Sequence, residues 1–258
     1  MTGSTADNWE HHWQEYELSA ARNPAQEFRR RLIVRLLAGK ETPQRIVDIG
    51  SGTGDLAAML RAAYPEAELL GLELSLAGIE SAERKVPSAV FLQKDLTLAE
   101  PPPPKYAGWA THAVCSEVLE HVDDPRRLLE VSRDYLAPGC LLVVTVPGGP
   151  MTAYDRHIGH RRHFQPDDIA DILRTAGFDV TRAIGAGFPV FNLYRLLMRA
   201  LGSRLIGVAG SREPSAVARV AMGAFAALMR WNTRLSRRGW QVVAVARVPG
   251  SLQGEGRA

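Results

Sequence analysis

Residues 47–55 read Val-Asp-Ile-Gly-Ser-Gly-Thr-Gly-Asp, an apolar run that leads into a turn with three glycines. Leu56, Met59 and Leu60 follow at the spacing of one helix face, so the stretch predicts a strand, a tight turn and a helix. That order is typical of the first crossover in a parallel α/β sheet, where ligands bind at the carboxyl ends of the strands. The glycines let the backbone turn sharply and let a ligand approach it closely.

The glycine spacing argues against two common phosphate-binding turns. A dinucleotide fingerprint requires its third glycine five positions after Gly50, and Asp55 stands there. A P-loop requires a following Gly-Lys-Ser or Gly-Lys-Thr, which this turn lacks. Asp48, at the end of the strand, would repel a pyrophosphate but could meet an ammonium group. The turn therefore predicts a ligand other than a dinucleotide.

The stretch instead resembles the first motif of the class I S-adenosylmethionine-dependent methyltransferases. The resemblance implies an α/β fold with a Rossmann-like, seven-stranded sheet whose last strand is antiparallel. It also implies S-adenosyl-L-methionine as the cofactor and methyl transfer as the reaction. The residues of the turn expected to bind the cofactor are Asp48, Gly50, Ser51, Gly52 and Gly54.

A second acidic residue, Glu73, ends the next predicted strand, about twenty residues after the glycines. In nucleoside-binding sheets an acid at this place accepts both ribose hydroxyls, because a carboxylate has two acceptor oxygens and the diol has two donors. We expect Glu73 and the adjacent Leu74 to contact the cofactor. After the third predicted strand, the resemblance places Asp95 at the adenine amine and Leu96 against the adenine ring.

Residues 115–125, Cys-Ser-Glu-Val-Leu-Glu-His-Val-Asp-Asp-Pro, resemble the motif that follows strand four in the ubiquinone and menaquinone methyltransferases. A helix here would place Glu117, Glu120 and His121 on one face. The resemblance leaves two interpretations open. Either this trio binds a divalent cation, or no metal is used, Glu117 lies near the cofactor and His121 is a pocket or helix residue.

Residues 154–164, Tyr-Asp-Arg-His-Ile-Gly-His-Arg-Arg-His-Phe, follow the fifth predicted strand. A loop at this place usually closes over the substrate. Its second half resembles a subgroup of these enzymes in which the loop lines the acceptor pocket. A hydroxyl acceptor must lose a proton as its oxygen attacks, and histidine suits that role at neutral pH. We expect His157 or His160 to be this base.

The arginines of the same loop have two explanations. Arg161 or Arg162 is expected to hold an acidic group of the acceptor, or both pair with protein carboxylates such as Asp155 and Asp168 while the histidines only pack. The loop favours O-methylation of a small-molecule acceptor, lipophilic or lipid-linked. C-methylation of an activated ring and a non-catalytic binding protein of the same fold are the alternatives. A nicotinamide-dependent dehydrogenase is disfavoured by Asp55.

The chain is predicted to form a single domain with two helical additions. Residues 1–40 are expected to hold two helices, over 9–20 and over 24–37, which form a lid or pack on the sheet. Residues 187–238 are expected to form a helical insertion between strands six and seven. This insertion has three explanations: a cap over an apolar acceptor, a homodimer interface, or a peripheral membrane contact with anionic lipid. The core is expected to comprise residues 41–186 and 239–248 of the 258.

The composition limits the classes of protein to which this chain can belong. A length of 258 residues fits one α/β domain, and the net charge of +3 does not indicate nucleic acid as a partner. Cys115 and Cys140 stand alone in separate apolar runs, which argues against a disulfide framework. The start of the sequence shows no secretory signal pattern, and no apolar run approaches the roughly 18 residues of a membrane span. We expect a cytoplasmic, biosynthetic enzyme.

Overall fold

The computed structural model describes residues 23–39, 41–206, 216–231 and 235–250. The helix expected over 9–20 lies outside these residues. The strands are β1 (Arg45–Ile49), β2 (Glu68–Glu73), β3 (Val90–Gln93), β4 (Ala110–Ser116), β5 (Leu136–Pro147), β6 (Asp179–Ala186) and β7 (Gln241–Arg247).

These strands form one sheet in the order β3-β2-β1-β4-β5-β7-β6. The first five strands pair in parallel, while β7 lies between β5 and β6 and is antiparallel to both. The parallel strands end at one edge of the sheet, and so the segments that follow β1, β2, β4 and β5 meet there. The predicted fold class is confirmed.

The helices of four residues or more are α1 (Pro24–Leu37), α2 (Asp55–Ala63), α3 (Leu76–Lys85), α4 (Pro125–Arg133), α5 (Ala153–His157), α6 (Pro166–Thr175), α7 (Val190–Ile206) and α8 (Ala216–Trp231). The helix α4 ends at Arg133, three residues before Leu136. That residue begins β5, where it pairs with Ala110, and Pro138 disfavours helix at the residue before it. Within the described residues, no helix is long and apolar enough to cross a bilayer.

The α1 helix packs against the insertion as well as against the sheet. Phe28 and Phe191 of α7 have ring centroids 5.4 Å apart, and both side chains are buried. Tyr194 of α7 and Met229 of α8 belong to the same buried cluster. The N-terminal helix and the insertion therefore share one small core beside the main one.

Both cysteines of the chain lie in the described part, and both are buried, free thiols. Burial raises the pKa of the Cys140 thiol to about 12. A thiol in such surroundings is unreactive because the thiolate is the nucleophilic form. These cysteines therefore pack in the core of the sheet.

Candidate functional site

The turn after β1 takes a backbone that favours glycine. Gly50, Gly52 and Gly54 have φ angles of 72°, 54° and 78°. A β-carbon on Gly54 would lie 2.7 Å from the Cα of Ala82, and one on Gly50 would collide with Val118. The turn is therefore pressed between α3 and the segment that follows β4, and larger residues would strain it.

Glu73 is tied to this turn. Its Oε2 accepts a hydrogen bond of 2.7 Å from the backbone N–H of Gly52, and its Oε1 accepts one of 3.0 Å from the N–H of Ser75. Ser75 in turn caps α3 by accepting a hydrogen bond from the N–H of Gly78. A carboxylate has about four lone-pair acceptor sites on its two oxygens. Glu73 is thus held rigidly at the edge where a ribose was expected.

Asp48 is buried beneath the turn. Among the described residues no donor reaches its Oδ2 atom. Burial, with the nearby charge of Glu73, raises the pKa of Asp48 from 3.8 to about 7. A buried carboxylate in this state is stabilised by a cationic group. Its chemistry therefore fits a cationic ligand such as an ammonium group.

The other expected cofactor residues lie at the same edge. Leu74 is 44% exposed, whereas Leu96 is buried. Asp95 is half-buried, and its Oδ1 accepts hydrogen bonds from the backbone N–H and the hydroxyl of Thr97. The structure therefore uses one oxygen of Asp95 to stabilise its own turn. Ser51 is buried in the glycine turn itself.

The prediction of a helix over the Glu117 motif is wrong. Only Leu119–His121 form one turn of 3-10 helix, and Glu117 precedes it with a left-handed φ of 56°. The Glu117 carboxylate lies 3.3 Å from the guanidinium of Arg29 and accepts a hydrogen bond of 2.9 Å from the side chain of Gln241. Glu117 therefore does not share a helical face with Glu120 and His121.

Glu120 lies instead beside the loop after β5. It is completely buried, and none of the described residues donates a hydrogen bond to either of its carboxylate oxygens. Burial, with the charge of Glu117, raises its pKa well above the usual range. Its Oε1 lies 3.9 Å from Nε2 of His160. The loop thus brings a histidine to a buried acid.

Three donor atoms, from Glu120, His121 and His160, lie within 4.8 Å of one another. The rings of His121 and His160 are nearly perpendicular, with centroids 4.8 Å apart. One carboxylate and two imidazoles are ligands that zinc and other first-row divalent ions accept. These three donors could therefore hold a cation, with His160 in the place expected for Glu117, and Asp155, His160 and His163 form a second such group.

Hydrogen bonds determine the tautomers of two loop histidines. His163 Nδ1 lies 3.0 Å from the carbonyl oxygen of Gly149, which can only accept, so His163 carries its proton there. Its Nε2 then accepts from Nδ1 of His160 at 3.3 Å. The lone pair of His160 is left on Nε2, facing Glu120. Burial and the neighbouring His121 lower the pKa of His160 to about 2.

The remaining expected loop residues lie outside this cluster. His157 is exposed at the end of α5. Arg161 forms an ion pair with Asp123, and Arg162 donates a hydrogen bond of 2.9 Å to the backbone carbonyl of Asp123. The hydrogen bond from Arg161 lowers the pKa of Asp123. Arg161 thus pairs with a protein carboxylate, as the second explanation of these arginines held, although its partner is neither Asp155 nor Asp168.

Three residues of the site were missed by the sequence analysis. Arg29 and Gln241 hold Glu117, and Arg195 of the insertion binds both oxygens of Asp155. Their partners are distant in sequence, so no local pattern marks them. Among these residues and their partners, only Asp155 has a local sequence signal. With Thr152 it forms a capping box at the start of α5, and the spacing Thr-x-x-Asp resembles the sequence pattern of that motif.

Comparisons with known proteins agree with this geometry. A family model described as a methyltransferase domain matches residues 20–183. A trans-aconitate 2-methyltransferase of Methylobacterium nodulans is 36% identical over 105 residues, which are 41% of this chain and 39% of that protein. The matched segment thus spans about two fifths of that relative's length.

Solved structures resemble the whole fold. The [4+2]-cyclase SpnF matches with a TM-score of 0.66 and 17% identity, covering 97% of this chain and 99% of that one. The N-methyltransferase NodS of Bradyrhizobium japonicum, in complex with S-adenosylhomocysteine, matches with a TM-score of 0.59 and 16% identity, covering 94% and 100%. At these identities the likeness is one of fold.

Proposed function

Since this chain belongs to the class I S-adenosylmethionine-dependent methyltransferases, we propose that it transfers a methyl group from this cofactor to an oxygen atom of a small acceptor. The acceptor is lipophilic or lipid-linked. The observation that carries the proposal is the position of Glu73, fixed to the glycine turn by the N–H groups of Gly52 and Ser75. A carboxylate so placed is ready to accept a ribose diol at the edge where the acceptor loop also lies.

The cofactor is proposed to lie along the ends of β1, β2 and β4. Glu73 binds the ribose, and Asp48 faces the ammonium group. The adenine lies between Leu74, Asp95 and Leu96, as the family resemblance implies. The backbone of the glycine turn supports the amino-acid portion of the cofactor, and Glu117 lies at the far end. The raised pKa of Asp48 supports this placement, because a cation there would restore its ionised form.

The methyl group of a sulfonium is already activated, so the main task of the protein is alignment and exclusion of water. The loop after β5 performs both tasks. It is held in place through Asp155, which pairs with Arg195 of the insertion, and through the backbone N–H of Arg161, which donates to the carbonyl of Glu120. These contacts fix His160 at the end of β4.

His160 is proposed to accept the hydrogen bond of a hydroxyl acceptor on Nε2, and the proton then passes to Glu120, whose raised pKa makes it the stronger base of the two. The two groups act as a pair, because a proton taken up by an ionised Glu120 beside a neutral His160 leaves the pair neutral. A cationic ligand at this edge favours the ionised carboxylate that the step requires. His157 is the weaker candidate, because it is exposed, whereas His160 lies beside the buried acid.

A divalent cation, where bound, is proposed to take Glu120, His121 and His160 as ligands and to leave Glu117 with Arg29. Its charge would compensate the buried carboxylate, and it would polarise an acceptor oxygen as a Lewis acid. The ion and the proton compete for the same lone pair of His160. Calorimetric titration with Mn²⁺ and Zn²⁺ tests this: binding lost in Glu120→Gln but kept in Glu117→Gln supports the donor set, and absence of binding overturns it.

An acidic acceptor is a second candidate, favoured by the name of the trans-aconitate relative and by the basic loop. Arg161 would exchange its exposed partner Asp123 for a carboxylate of the acceptor, and a carboxylate oxygen needs no base. C-methylation of an activated ring and cofactor binding without catalysis are further alternatives. The two free, buried cysteines support a reducing, cytoplasmic compartment.

The proposal is tested by calorimetric titration of the full chain with S-adenosylmethionine and S-adenosylhomocysteine. A panel of hydroxylated, carboxylated and prenylated acceptors is then incubated with methyl-labelled cofactor. Saturable binding near one cofactor per chain and a labelled ether or ester support O-methylation. Label on ring carbon supports the C-methylation alternative, binding without any product favours a non-catalytic protein, and absence of binding overturns the proposal.

A further inference from the structure

The outward face of α7 is apolar and exposed. Leu193, Leu196, Leu197 and Ala200 follow the i, i+3, i+4, i+7 spacing and therefore lie along one side of the helix. The three leucines are 58%, 47% and 41% exposed. The opposite side of the helix already supplies the buried Tyr194. An apolar stripe of this regularity usually contacts other apolar groups.

The insertion that contains this stripe is rich in positive charge. Residues 187–238 contain nine arginines, no lysine or aspartate, and one glutamate, Glu213, which gives a net charge of +8. Because the whole chain carries +3, the rest of it carries −5. So uneven a distribution favours an anionic partner for the insertion alone.

Basic and aromatic residues flank the stripe. Arg199 is exposed on one edge of it. Two turns earlier on the same edge, Asn192 donates a hydrogen bond to the backbone carbonyl of Arg238. The guanidinium of Arg238 lies 5.8 Å from the ring centroid of the exposed Phe188. Leucines with a rim of arginines and an aromatic ring are the composition of helices that lie in a membrane interface.

The same helix reaches the acceptor loop from its other side. Arg195, between the exposed leucines in sequence, turns inward and binds both carboxylate oxygens of Asp155 at 3.0 Å. Asp155 begins the loop that positions His160 and His163. A surface bound by the leucines would therefore lie one helix diameter from the loop that receives the acceptor.

We propose that the exposed face of α7 binds the surface of an anionic phospholipid bilayer. The leucines of the stripe enter the interface, and Arg199 and Arg238 contact lipid phosphates. Resting on the proposed function, the acceptor is then a lipid-linked or lipid-dissolved molecule that reaches the loop from the bilayer. A second copy of the chain is the alternative occupant of this face.

The test is sedimentation of the full chain with vesicles of phosphatidylcholine, with and without phosphatidylglycerol. We expect binding to the anionic vesicles that weakens as salt is added and falls at least about tenfold in a Leu193→Gln, Leu196→Gln, Leu197→Gln variant. Leu98→Gln is the matched control, since Leu98 is 50% exposed but lies outside the insertion; its vesicle binding should be unchanged. Arg199→Glu with Arg238→Glu should also weaken binding, whereas Arg174→Glu on α6 should not.

Two further measurements separate the outcomes. Cofactor titration of the triple leucine variant reports whether it is folded; retained cofactor affinity with lost vesicle binding supports the proposal. Equal binding of wild type and triple variant, or no binding to anionic vesicles, overturns it. The proposal is also overturned if sedimentation velocity shows that the wild type is a dimer and the triple variant a monomer. Failure of cofactor binding with vesicle binding intact would overturn the proposed enzymatic function alone.

Discussion

Arg195 of the insertion donates one hydrogen bond of 3.0 Å to each carboxylate oxygen of Asp155, forty residues earlier in the chain. Burial opposes ionisation of Asp155, but the hydrogen bonds and charge of Arg195 outweigh it and hold the pKa below its usual value. This ion pair joins α7 to α5. A buried ion pair therefore connects the loop after β5 to the insertion.

We expect Arg195→Gln to lower the free energy of unfolding by about 3 kcal/mol at neutral pH, because it leaves a buried carboxylate without its charge partner. A carboxyl group with a depressed pKa in the folded state stabilises above its unfolded pKa of about 3.8, and that stabilisation is lost as the pH falls. The difference between variant and wild type should therefore shrink in acid. Urea unfolding at two pH values measures it.

Arg199→Gln is the matched control, four residues along the same helix and exposed. It should change the free energy of unfolding by less than about 0.5 kcal/mol. Equal effects of the two substitutions would show that the Asp155 pair contributes nothing of its own.

Glu73→Ala should weaken binding of S-adenosylmethionine by roughly 10- to 100-fold, since charge-assisted hydrogen bonds contribute about 1.5–3 kcal/mol. The substitution removes the proposed ribose acceptor and also frees the N–H of Gly52. Calorimetry gives the affinity. Glu68→Ala, at the exposed start of the same strand, should bind the cofactor like wild type; a comparable loss there would assign the effect to β2 as a whole.

Asp48→Asn should stabilise the cofactor-free protein at high pH. Because the pKa of Asp48 is raised to about 7, the carboxyl group destabilises the folded state progressively as pH rises from about 3.8 to about 7, and the loss is constant above that. The gain in the free energy of unfolding should be near zero at pH 3 and reach up to about 4 kcal/mol at pH 8. Cofactor affinity should fall in the same variant.

Urea unfolding without cofactor, at both pH values, gives the comparison for Asp48→Asn. Asp179→Asn serves as its control because Asp179 is an exposed acid at the start of β6. A pH-independent difference between Asp48→Asn and wild type would mean that folding does not raise the pKa of Asp48.

His160→Ala and Glu120→Gln should each lower turnover of a hydroxyl acceptor by about 100-fold, because they remove the proposed proton acceptor pair. Cofactor affinity should be retained in both variants. His157→Ala, an exposed histidine of the same loop, should keep most of its activity. Steady-state rates with saturating cofactor provide the measurement; loss of turnover in His157→Ala with normal rates in His160→Ala would transfer the role to His157.

The sheet could be predicted because its signals are local. Apolar, β-branched runs and the glycine turn at residues 50–54 determine β1 and α2, and Ser75 marks the start of α3 through a side-chain cap. The edge at which ligands bind follows from the parallel order. The sequence alone therefore places Glu73 beside the turn.

The inner part of the site could not be predicted, because long-range contacts decide it. Around Glu117 the sequence permits a helix, but the carboxylate is held by Arg29 and Gln241, and the backbone turns left-handed there instead. His160 joins Glu120 only because the loop after β5 lies beside the end of β4. Neither contact corresponds to a periodic pattern in the sequence, so the sequence alone does not reveal it.

The bond from Gln241 to Glu117 also bears on synthesis of the protein. Gln241 begins the last strand, and its side chain donates to Glu117 and to the carbonyl of Val146. Because β7 lies between β5 and β6, both strands present unpaired edges until β7 has been synthesised. The nascent polypeptide should therefore gain its ligand-binding competence only once β7 has paired, and until then it is a natural client for chaperones that shield open strands.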